Sequence, residues 1–261
     1  APIPKKGPCP TPIGNPCDAA LGSKIAREVD YRGTGPFPLD FVRVYNSLLL
    51  DSGRLGMGWH DGYGFPSLSV VSNASITTAF VRRPSGGVDY FTLQYGTWAP
   101  DADVSDQLEQ TTTGWRLSKR DGSKENYDST GKLIEIVNAV GISQTPKYDT
   151  AGRLASLTNT YGQKLIFTYN TGGLLDNITD IAGQTITYKY TGLKLTRVNY
   201  PDGTAKIYHY ENAAYKNHLT GISYVDVAGT TTRFATYTYD ASGKAYITQH
   251  AAGQEKFTLV Y

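Results

Sequence analysis

Apolar and aromatic residues alternate with polar residues in many short runs between residues 114 and 261. Leu165, Phe167 and Tyr169, for example, fall on every second position. A period of two places such residues on one face of a β-strand. Tyrosines recur in this region at intervals of 20 to 22 residues, with one longer insert. The recurrent tyrosines are Tyr127, Tyr148, Tyr169, Tyr190, Tyr210, Tyr239 and Tyr261. Their spacing predicts a repeat of about 21 residues.

Glycines divide the same region at about every ten residues. They are Gly122, Gly131, Gly141, Gly152, Gly162, Gly173, Gly183, Gly192 and Gly203. Several follow an Asp or Asn by three positions, as Gly152 follows Asp149, and this combination favours a tight turn. Turns at this spacing predict an antiparallel meander of about fourteen strands.

The second strand of each repeat has a different apolar spacing. Leu133 and Ile136 lie three positions apart, and so do Leu154 and Leu157. This spacing does not fit strict alternation, so we expect a β-bulge or a bend in these strands.

The residues before the repeats have no 21-residue period. Leu39 and Phe41 alternate with Val42 and Val44, which predicts a strand with side chains packed on both faces. A polar and aromatic group follows and is expected to cap the first repeat strands, where their core would otherwise meet water. This group is Trp59, His60, Tyr63 and Phe65.

These patterns predict an all-β protein of three parts. Residues 1–13 form a proline-rich N-terminal arm, which cannot donate a regular ladder of hydrogen bonds. Residues 14–105 form an N-terminal β domain, and residues 106–261 form the repeat meander. We expect the N-terminal domain to cap a coiling strip of antiparallel β-hairpins.

Composition and charge exclude some functional classes. The 25 Lys and Arg residues nearly balance the 23 Asp and Glu residues, which leaves a net charge of +2. This charge gives no support to a nucleic-acid partner. No apolar run approaches the roughly 18 residues that a membrane helix needs, so we expect no membrane span.

The two cysteines, Cys9 and Cys17, lie at the proline-rich end of the chain. A disulfide between them would indicate a secreted, oxidised protein. Two free thiols are the alternative. With no histidine nearby, the pair makes a poor zinc site.

The sequence shows no recognisable catalytic motif. The four histidines, one of them His60, are scattered and lack metal-binding spacing. There is no G-x-S-x-G nucleophile motif and no phosphate-binding loop. We therefore interpret the chain as non-enzymatic and expect no metal or cofactor.

The repeat unit resembles that of the Rhs/YD-repeat family, which reads roughly Tyr-Asp-x-x-Gly-Arg-Leu. The best copy runs from Tyr148 to Leu154, with Asp149 and Gly152 in place. Residues 38–47 and 56–60 are also similar to the domain that precedes such repeats in bacterial family members. The resemblance implies that full-length members wind many more repeats into a closed hollow shell and end in a toxin.

Three functions fit these observations. The first is a secreted or cell-surface bacterial structural protein whose copies associate head to tail, as a filament or surface assembly, through exposed strand edges. Its candidate assembly edge is Phe257, Leu259 and Tyr261. The second is the N-terminal fragment of an Rhs-type, toxin-encapsulating shell. The third is a carbohydrate-binding module that presents its tyrosines to glycans.

Overall fold

The computed structural model of the protein describes residues 17–18, 21–63 and 67–260. The arm at 1–13, Cys9, Phe65 and Tyr261 lie outside the described residues, as does the side chain of Cys17. The predicted disulfide, one residue of the predicted cap and the last residue of the candidate assembly edge therefore stay predictions.

Strands dominate the described residues, and a short 3-10 turn lies at Ala251–Gly253. The strands are β1 (Cys17–Asp18), β2 (Ser23–Tyr31), β3 (Phe41–Asn46), β4 (Ser52–Gly53), β5 (Gly56–Met57), β6 (Trp59–Asp61), β7 (Ser67–Ser72), β8 (Thr77–Arg82), β9 (Val88–Gln94), β10 (Thr97–Pro100), β11 (Gln107–Gln110), β12 (Gly114–Ser118), β13 (Lys124–Asp128), β14 (Leu133–Val137), β15 (Ser143–Tyr148), β16 (Leu154–Asn159), β17 (Lys164–Tyr169), β18 (Leu175–Thr179), β19 (Thr185–Thr191), β20 (Lys194–Asn199), β21 (Ala205–His209), β22 (Gly221–Val225), β23 (Thr231–Tyr239), β24 (Ala245–His250) and β25 (Phe257–Thr258). This content confirms the predicted all-β fold. The described part of the chain holds no helix with the length and apolar character to cross a bilayer.

The chain divides into two compact units. The first contains the described residues of 31–41 and 61–166, and the second contains those of 8–30, 42–60 and 167–261. The predicted domain boundary at residue 105 falls within the first unit, where β10 and β11 pair through Trp98 and Leu108. The division of the sequence at 105 stays a prediction.

The first unit contains an antiparallel meander in which each strand from β7 to β16 pairs with the next. Every second residue points to the same side, so the apolar positions collect on one face. That face is buried around Phe91, Trp115, Leu117 and Tyr127. The core thus spans strands both before and within the predicted repeats.

The second unit continues the antiparallel pattern from β18 to β25. Its buried face includes Ile186, Tyr188 and Tyr208 from the repeat strands. Strands β1, β2, β3 and β6 form a separate four-stranded sheet in that order. This small sheet carries the charged side chains that become important below.

The predicted turn glycines lie in hairpin turns with a recurring set of hydrogen bonds. The Asp128 carboxylate accepts hydrogen bonds from the backbone N–H groups of Thr130 and Lys132, at 2.9 and 3.0 Å. Gly131 has a φ of +82°, in the left-handed region that costs other L-residues about 1–2 kcal/mol. The nine turn glycines have φ values between +57° and +87°. The Asp side chain and the glycine together define the turn locally.

The bulge predicted from the Leu-x-x-Leu spacing is confirmed. Opposite Tyr148 the register shifts between Leu154 and Ser156, so Ala155 is an extra residue in the second strand. The extra residue returns Leu157 to the face that Leu154 occupies, and both side chains are buried. The same shift occurs beside Tyr127, Tyr190 and Tyr239.

Gly131→Ala should destabilise the protein more than Gly141→Ala. Both glycines have positive φ, so each substitution introduces backbone strain of about 1–2 kcal/mol. A Cβ at Gly131 would lie 1.8 Å from the Leu68 carbonyl oxygen, whereas one at Gly141 would meet no atom within 4 Å. We expect the Gly131 variant to lose roughly a further 1–3 kcal/mol of unfolding free energy in urea denaturation. Equal losses of unfolding free energy in the two variants would show that the close approach to Leu68 does not affect stability.

Candidate functional site

Strands β2 and β3 carry charged residues at inward-facing positions. In β2, residues 23–26 are all buried and the buried positions then alternate at Glu28 and Asp30; in β3 they alternate at Phe41, Arg43 and Tyr45. The buried positions include Glu28 and Asp30 in β2 and Arg43 in β3. A charge taken out of water is unfavourable by several kcal/mol unless it is paired and hydrogen-bonded. These side chains therefore require partners inside the fold.

Asp30 and Arg43 form a buried, two-point ion pair. Arg43 donates from Nε to Asp30 Oδ2 and from Nη2 to Asp30 Oδ1, the second at 2.8 Å. Both side chains have an exposed fraction of 0%. Arg43 Nη2 also donates to the Tyr208 hydroxyl at 2.7 Å. The remaining nitrogen, Nη1, is buried without an acceptor among the described residues.

Tyrosine hydroxyls complete the hydrogen bonds of the carboxylate. Tyr188 donates to Asp30 Oδ2 at 2.7 Å, and Tyr200 donates to Asp30 Oδ1 at 2.9 Å. Tyr188 lies in β19, and Tyr200 follows β20 directly. We call Asp30, Arg43, Tyr188, Tyr200 and Tyr208 the Asp30–Arg43 cluster. It joins the small sheet to three consecutive strands of the repeat meander.

The cluster is held in one protonation state. Burial alone would raise the pKa of Asp30, but Arg43 and the tyrosine hydroxyls outweigh it and keep that pKa below its usual value. Burial alone would lower the pKa of Arg43, but Asp30 raises that pKa well above its usual value. Burial and the Asp30 charge raise the pKa of Tyr188 well above its usual value. Asp30 therefore stays a carboxylate, and Tyr188 stays a neutral donor.

Aromatic rings surround the guanidinium of Arg43. Its carbon lies 4.5 Å from the centroid of the Trp59 ring and 5.2 Å from that of Tyr208. Trp59 and Tyr208 also meet edge to face, with ring centroids 4.9 Å apart. Trp59 Nε1 donates to the Tyr210 hydroxyl at 3.1 Å. These rings favour a buried cation because their faces carry negative partial charge.

The other inward-facing residues of the small sheet also find partners on repeat strands. Glu28 forms an ion pair with Lys206 in β21 and accepts a hydrogen bond from its ammonium group. The Lys24 ammonium lies 4.0 Å from the centroid of the Tyr237 ring in β23. The Tyr45 hydroxyl accepts a hydrogen bond from the backbone N–H of Leu219 at 2.9 Å. Polar groups thus contribute to the contact between the small sheet and the repeats.

A similar arrangement lies in the first unit. Arg83 donates to Asp89 at 2.7 Å and to Glu125 at 2.8 Å, and Tyr127 donates to Glu125 at 2.6 Å. Burial alone would raise the pKa of Glu125, but Arg83 and Lys119 outweigh it and keep that pKa below its usual value. Each unit therefore has an arginine, a carboxylate and a tyrosine hydroxyl joined by hydrogen bonds.

The carboxylates of both units form their hydrogen bonds with donors of the same chain. The oxygens of Asp30 and Glu125 accept from arginine and tyrosine donors of the same chain. Among the described residues, no group of three or more His, Cys, Asp or Glu side chains is placed to hold a metal ion. Hydrogen bonds of this kind orient and stabilise strands.

The recurrent tyrosines named from the sequence occupy different environments. Tyr127 and Tyr239 are buried, and Tyr148, Tyr169, Tyr190 and Tyr210 are half-buried. The Tyr148 hydroxyl donates to the Leu133 carbonyl at 2.8 Å, and that of Tyr239 donates to the Leu219 carbonyl at 2.7 Å. The three tyrosines of the Asp30–Arg43 cluster are not among these recurrent residues. Tyr188 and Tyr208 each lie two residues before a recurrent tyrosine, on the same face of the strand.

The described residues of the predicted cap are buried. Trp59 packs on Tyr208 in the second unit. His60 Nε2 lies 3.3 Å from the Leu49 carbonyl oxygen. In the first unit, the Tyr63 hydroxyl donates to the Gln144 side chain at 3.0 Å. Capping of the first repeats by this group stays a prediction.

Sequence reasoning missed Asp30 and Arg43 as site residues. A signal was present: Arg43 lies two positions after Phe41, so strict alternation puts this charge on the apolar face of its strand. A charged residue at a predicted buried position indicates a partner elsewhere. Identification of that partner requires the fold.

Asp30→Asn should lower the unfolding free energy by about 3–5 kcal/mol, because Arg43 would stay buried without its counter-charge. Arg43→Met should have a comparable effect, and the double variant should lose less than the sum of the two. The measurement is urea denaturation of all three variants.

Lys189→Gln serves as the control for this cycle. Lys189 pairs with Asp176 at 3.6 Å, but the two side chains are 59% and 35% exposed. Its loss should stay below about 1 kcal/mol. Additive effects of the Asp30 and Arg43 substitutions would contradict a coupled buried pair.

Comparisons with known proteins identify family models and distant structures. No curated protein matches the chain. A structure of TcdB2-TccC3-TEV is 13% identical, over 86% of this chain and 15% of that chain, with a TM-score of 0.40. A structure of the Tc holotoxin pore of Photorhabdus luminescens is 10% identical, over 88% of this chain and 17% of that chain, with a TM-score of 0.34. The chain therefore spans less than a fifth of the length of these proteins.

Two family models match successive parts of the sequence, with residues 91–120 between them. A domain of unknown function, DUF6531, matches residues 14–90. The Teneurin YD-shell model matches residues 121–261, which is more than half of the chain. The matched region contains the turns, the bulges and the recurrent tyrosines described above. The chain belongs to the Teneurin YD-shell family and is an Rhs/YD-repeat protein.

Proposed function

We propose that the chain is a wall segment of an Rhs/YD-type shell, with a structural role and no enzymatic one, in a protein that bacteria secrete or carry at the cell surface. The observation that carries this proposal is the Asp30–Arg43 cluster. In it, side chains of β2 and β3 complete the hydrogen bonds of tyrosines on the repeat strands. Strands β2 and β3, which precede the repeats, are therefore hydrogen-bonded to the repeat strands through their side chains, as expected for the start of a shell wall.

The state of the buried carboxylates supports the non-enzymatic part of the proposal. A general acid or base works best with a pKa near the working pH. The pKa values of Asp30 and Glu125 are instead held below their usual values by arginine and tyrosine donors. Such groups are suited to binding strands together and poorly suited to proton transfer.

We expect electron cryomicroscopy of the protein from its source to show its repeat strands in the β wall of a shell that contains further repeats. The physical reason is that repeat strips bury their terminal faces only against more repeats or a cap. Intact-mass measurement provides the second readout. A mature protein whose chain ended at residue 261 would contradict the shell proposal.

Self-association is a second candidate, and the exposed apolar residues at the last strand favour it. Phe257 is 38% exposed and Val260 is 94% exposed. Phe257 pairs with Thr248 of β24, and the Leu259 N–H donates to the Tyr246 carbonyl at 2.8 Å. In this candidate, the segment around Phe257 binds a second copy of the chain head to tail.

Phe257→Lys and Val260→Lys should each weaken association of the chain by about tenfold, because buried apolar anchors dominate such interfaces. Light scattering over a wide concentration range measures the oligomeric state. Val227→Lys is the matched control, since Val227 is 75% exposed in a turn of the same unit. A monomer at all concentrations would eliminate this candidate and leave the shell proposal untouched.

Carbohydrate binding by the recurrent tyrosines has less support. Tyr127 and Tyr239 are buried, and their hydroxyls already donate to groups of the same chain. A sugar needs an accessible aromatic face, which these two rings do not offer.

A further inference from the structure

Buried hydrogen-bond donors without acceptors lie beside the Asp30–Arg43 cluster. Arg43 Nη1 and the Tyr190 hydroxyl are both buried, and neither has a hydrogen-bond partner among the described residues. The Tyr210 hydroxyl accepts a hydrogen bond from Trp59, but within the described part of the chain no acceptor takes the hydrogen of its own O–H group. Buried polar groups are nearly always paired, so an unpaired one indicates a bound water or ion.

The fold brings these three donors to one side of the guanidinium. Tyr190 follows Tyr188 by two residues on the same face of β19, and Tyr210 follows Tyr208 in the same way at the end of β21. The Arg43 guanidinium carbon lies 5.7 Å from the centroid of the Tyr188 ring and 5.2 Å from that of Tyr208. Burial raises the pKa values of Tyr190 and Tyr210 above their usual value, and the Arg43 charge opposes that rise at both. Arg43 is therefore within electrostatic range of both hydroxyls.

Backbone and aromatic groups shield the donors from water. A Cβ at Gly56 would lie 3.3 Å from Cε1 of Tyr190 and 2.4 Å from the Leu193 carbonyl oxygen, so the backbone of β5 packs closely on this part of the repeat. The Trp59 ring covers the Arg43 guanidinium, with 4.5 Å between its centroid and the guanidinium carbon. In such an environment a hydrogen bond to an ion is stronger than it is in water.

The charges near the donors balance in pairs, with one lysine left over. Within the cluster, the carboxylate and the guanidinium balance each other. Asp176, whose charge acts on Tyr190, lies 3.6 Å from the ammonium of Lys189. Lys194 Nζ lies 5.7 Å from the centroid of the Tyr210 ring and forms no ion pair among the described residues. One additional negative charge at the donors would therefore be balanced by Lys194.

We propose that Arg43 Nη1 and the hydroxyls of Tyr190 and Tyr210 bind one small monovalent anion. Chloride is the abundant ion of this class outside cells. A guanidinium offers hydrogens and no acceptor, and the hydrogen of a tyrosine hydroxyl rotates to suit its partner. Hydrogen bonds from such donors to an anion are stronger than those to a neutral acceptor. The anion would join β3 of the small sheet to two repeats.

A water molecule is the competing occupant of this site. Water would accept hydrogen bonds from the same donors, but its own two hydrogens also need acceptors. The Asp30 oxygens already accept from Arg43, Tyr188 and Tyr200. No carboxylate or amide oxygen is found among the buried, unpartnered side-chain atoms of the described residues. A ligand that only accepts hydrogen bonds fits this set better.

Thermal unfolding of the full chain at constant ionic strength tests the proposal. Sodium gluconate, whose anion is a bulky organic carboxylate, would be replaced stepwise by sodium chloride. The Tm should rise saturably, by roughly 3 °C at about 150 mM chloride, because a ligand that binds only the native state stabilises it. Sodium bromide should act in the same way. No dependence of the Tm on either halide would overturn the proposal.

Crystals grown in sodium bromide locate the ion. Diffraction at the bromine absorption edge should place one bromide within hydrogen-bond distance of Arg43 and the two tyrosine hydroxyls. A water molecule at this position in those crystals would contradict the proposal. The shell proposal does not depend on the anion and would stand after either failure.

Tyr190→Phe separates the site from general effects of salt. The Tyr190 hydroxyl has no partner among the described residues, so its removal should leave the fold intact and should not lower the Tm in gluconate. The chloride-dependent rise in Tm should shrink about threefold, because a charge-assisted hydrogen bond is lost. An undiminished rise in this variant would remove the anion from Tyr190 and refute the site.

Tyr148→Phe is the matched control. Tyr148 is a recurrent tyrosine of the first unit, and its hydroxyl donates to the Leu133 carbonyl at 2.8 Å. This variant should have a lower Tm than the unaltered chain in both salts, because it loses a hydrogen bond within the chain. It should keep the full chloride-dependent rise. A rise reduced as much as in Tyr190→Phe would show that the chloride effect does not arise at the proposed site.

Discussion

The buried ion pair of Asp30 with Arg43 constrains the positions of the strands around it. A buried pair gains stability only when its remaining donors and acceptors are also satisfied. Here the hydroxyls of Tyr188, Tyr200 and Tyr208 bond to both Asp30 oxygens and to Arg43 Nη2, whereas Arg43 Nη1 has no acceptor among the described residues. The three tyrosines come from three parts of the repeat meander. A small displacement of any of these strands would leave a charge without its partner. Apolar side chains would tolerate such a displacement far better.

This constraint gives a physical reason for the tyrosine content of the chain. The sequence has 20 Tyr against 8 Phe residues, although both rings fill a core equally well. Only tyrosine adds a donor at the far end of the ring. Its hydroxyl reaches Asp30 in the second unit and Glu125 in the first. Phenylalanine at these positions would leave the carboxylates with fewer donors in a dry environment.

The sequence predicts those features that depend on neighbouring residues. The turn at Asp149 and Gly152 is set by bonds within five residues, and the bulge beside Tyr148 follows from the spacing of Leu154 and Leu157. The Asp30–Arg43 cluster is different, because Tyr188 lies 158 positions after Asp30. Tyr188 and Tyr190 alternate identically along β19, so periodicity could not tell which tyrosine reaches the carboxylate.

The same reasoning separates the parts of the chain that follow the repeat pattern from those that depart from it. Many turns of the repeat region carry an Asp or Asn and a glycine, and its buried Glu125 and Tyr188 bond to partners of the same chain. The hairpin at Tyr95 breaks that pattern, and the ladder beyond it narrows to the pair of Trp98 with Leu108. Local conflicts with folding rules persist where function requires them. The hairpin at Tyr95 and the single ladder pair between β10 and β11 therefore mark where this part of the chain departs from the repeat pattern.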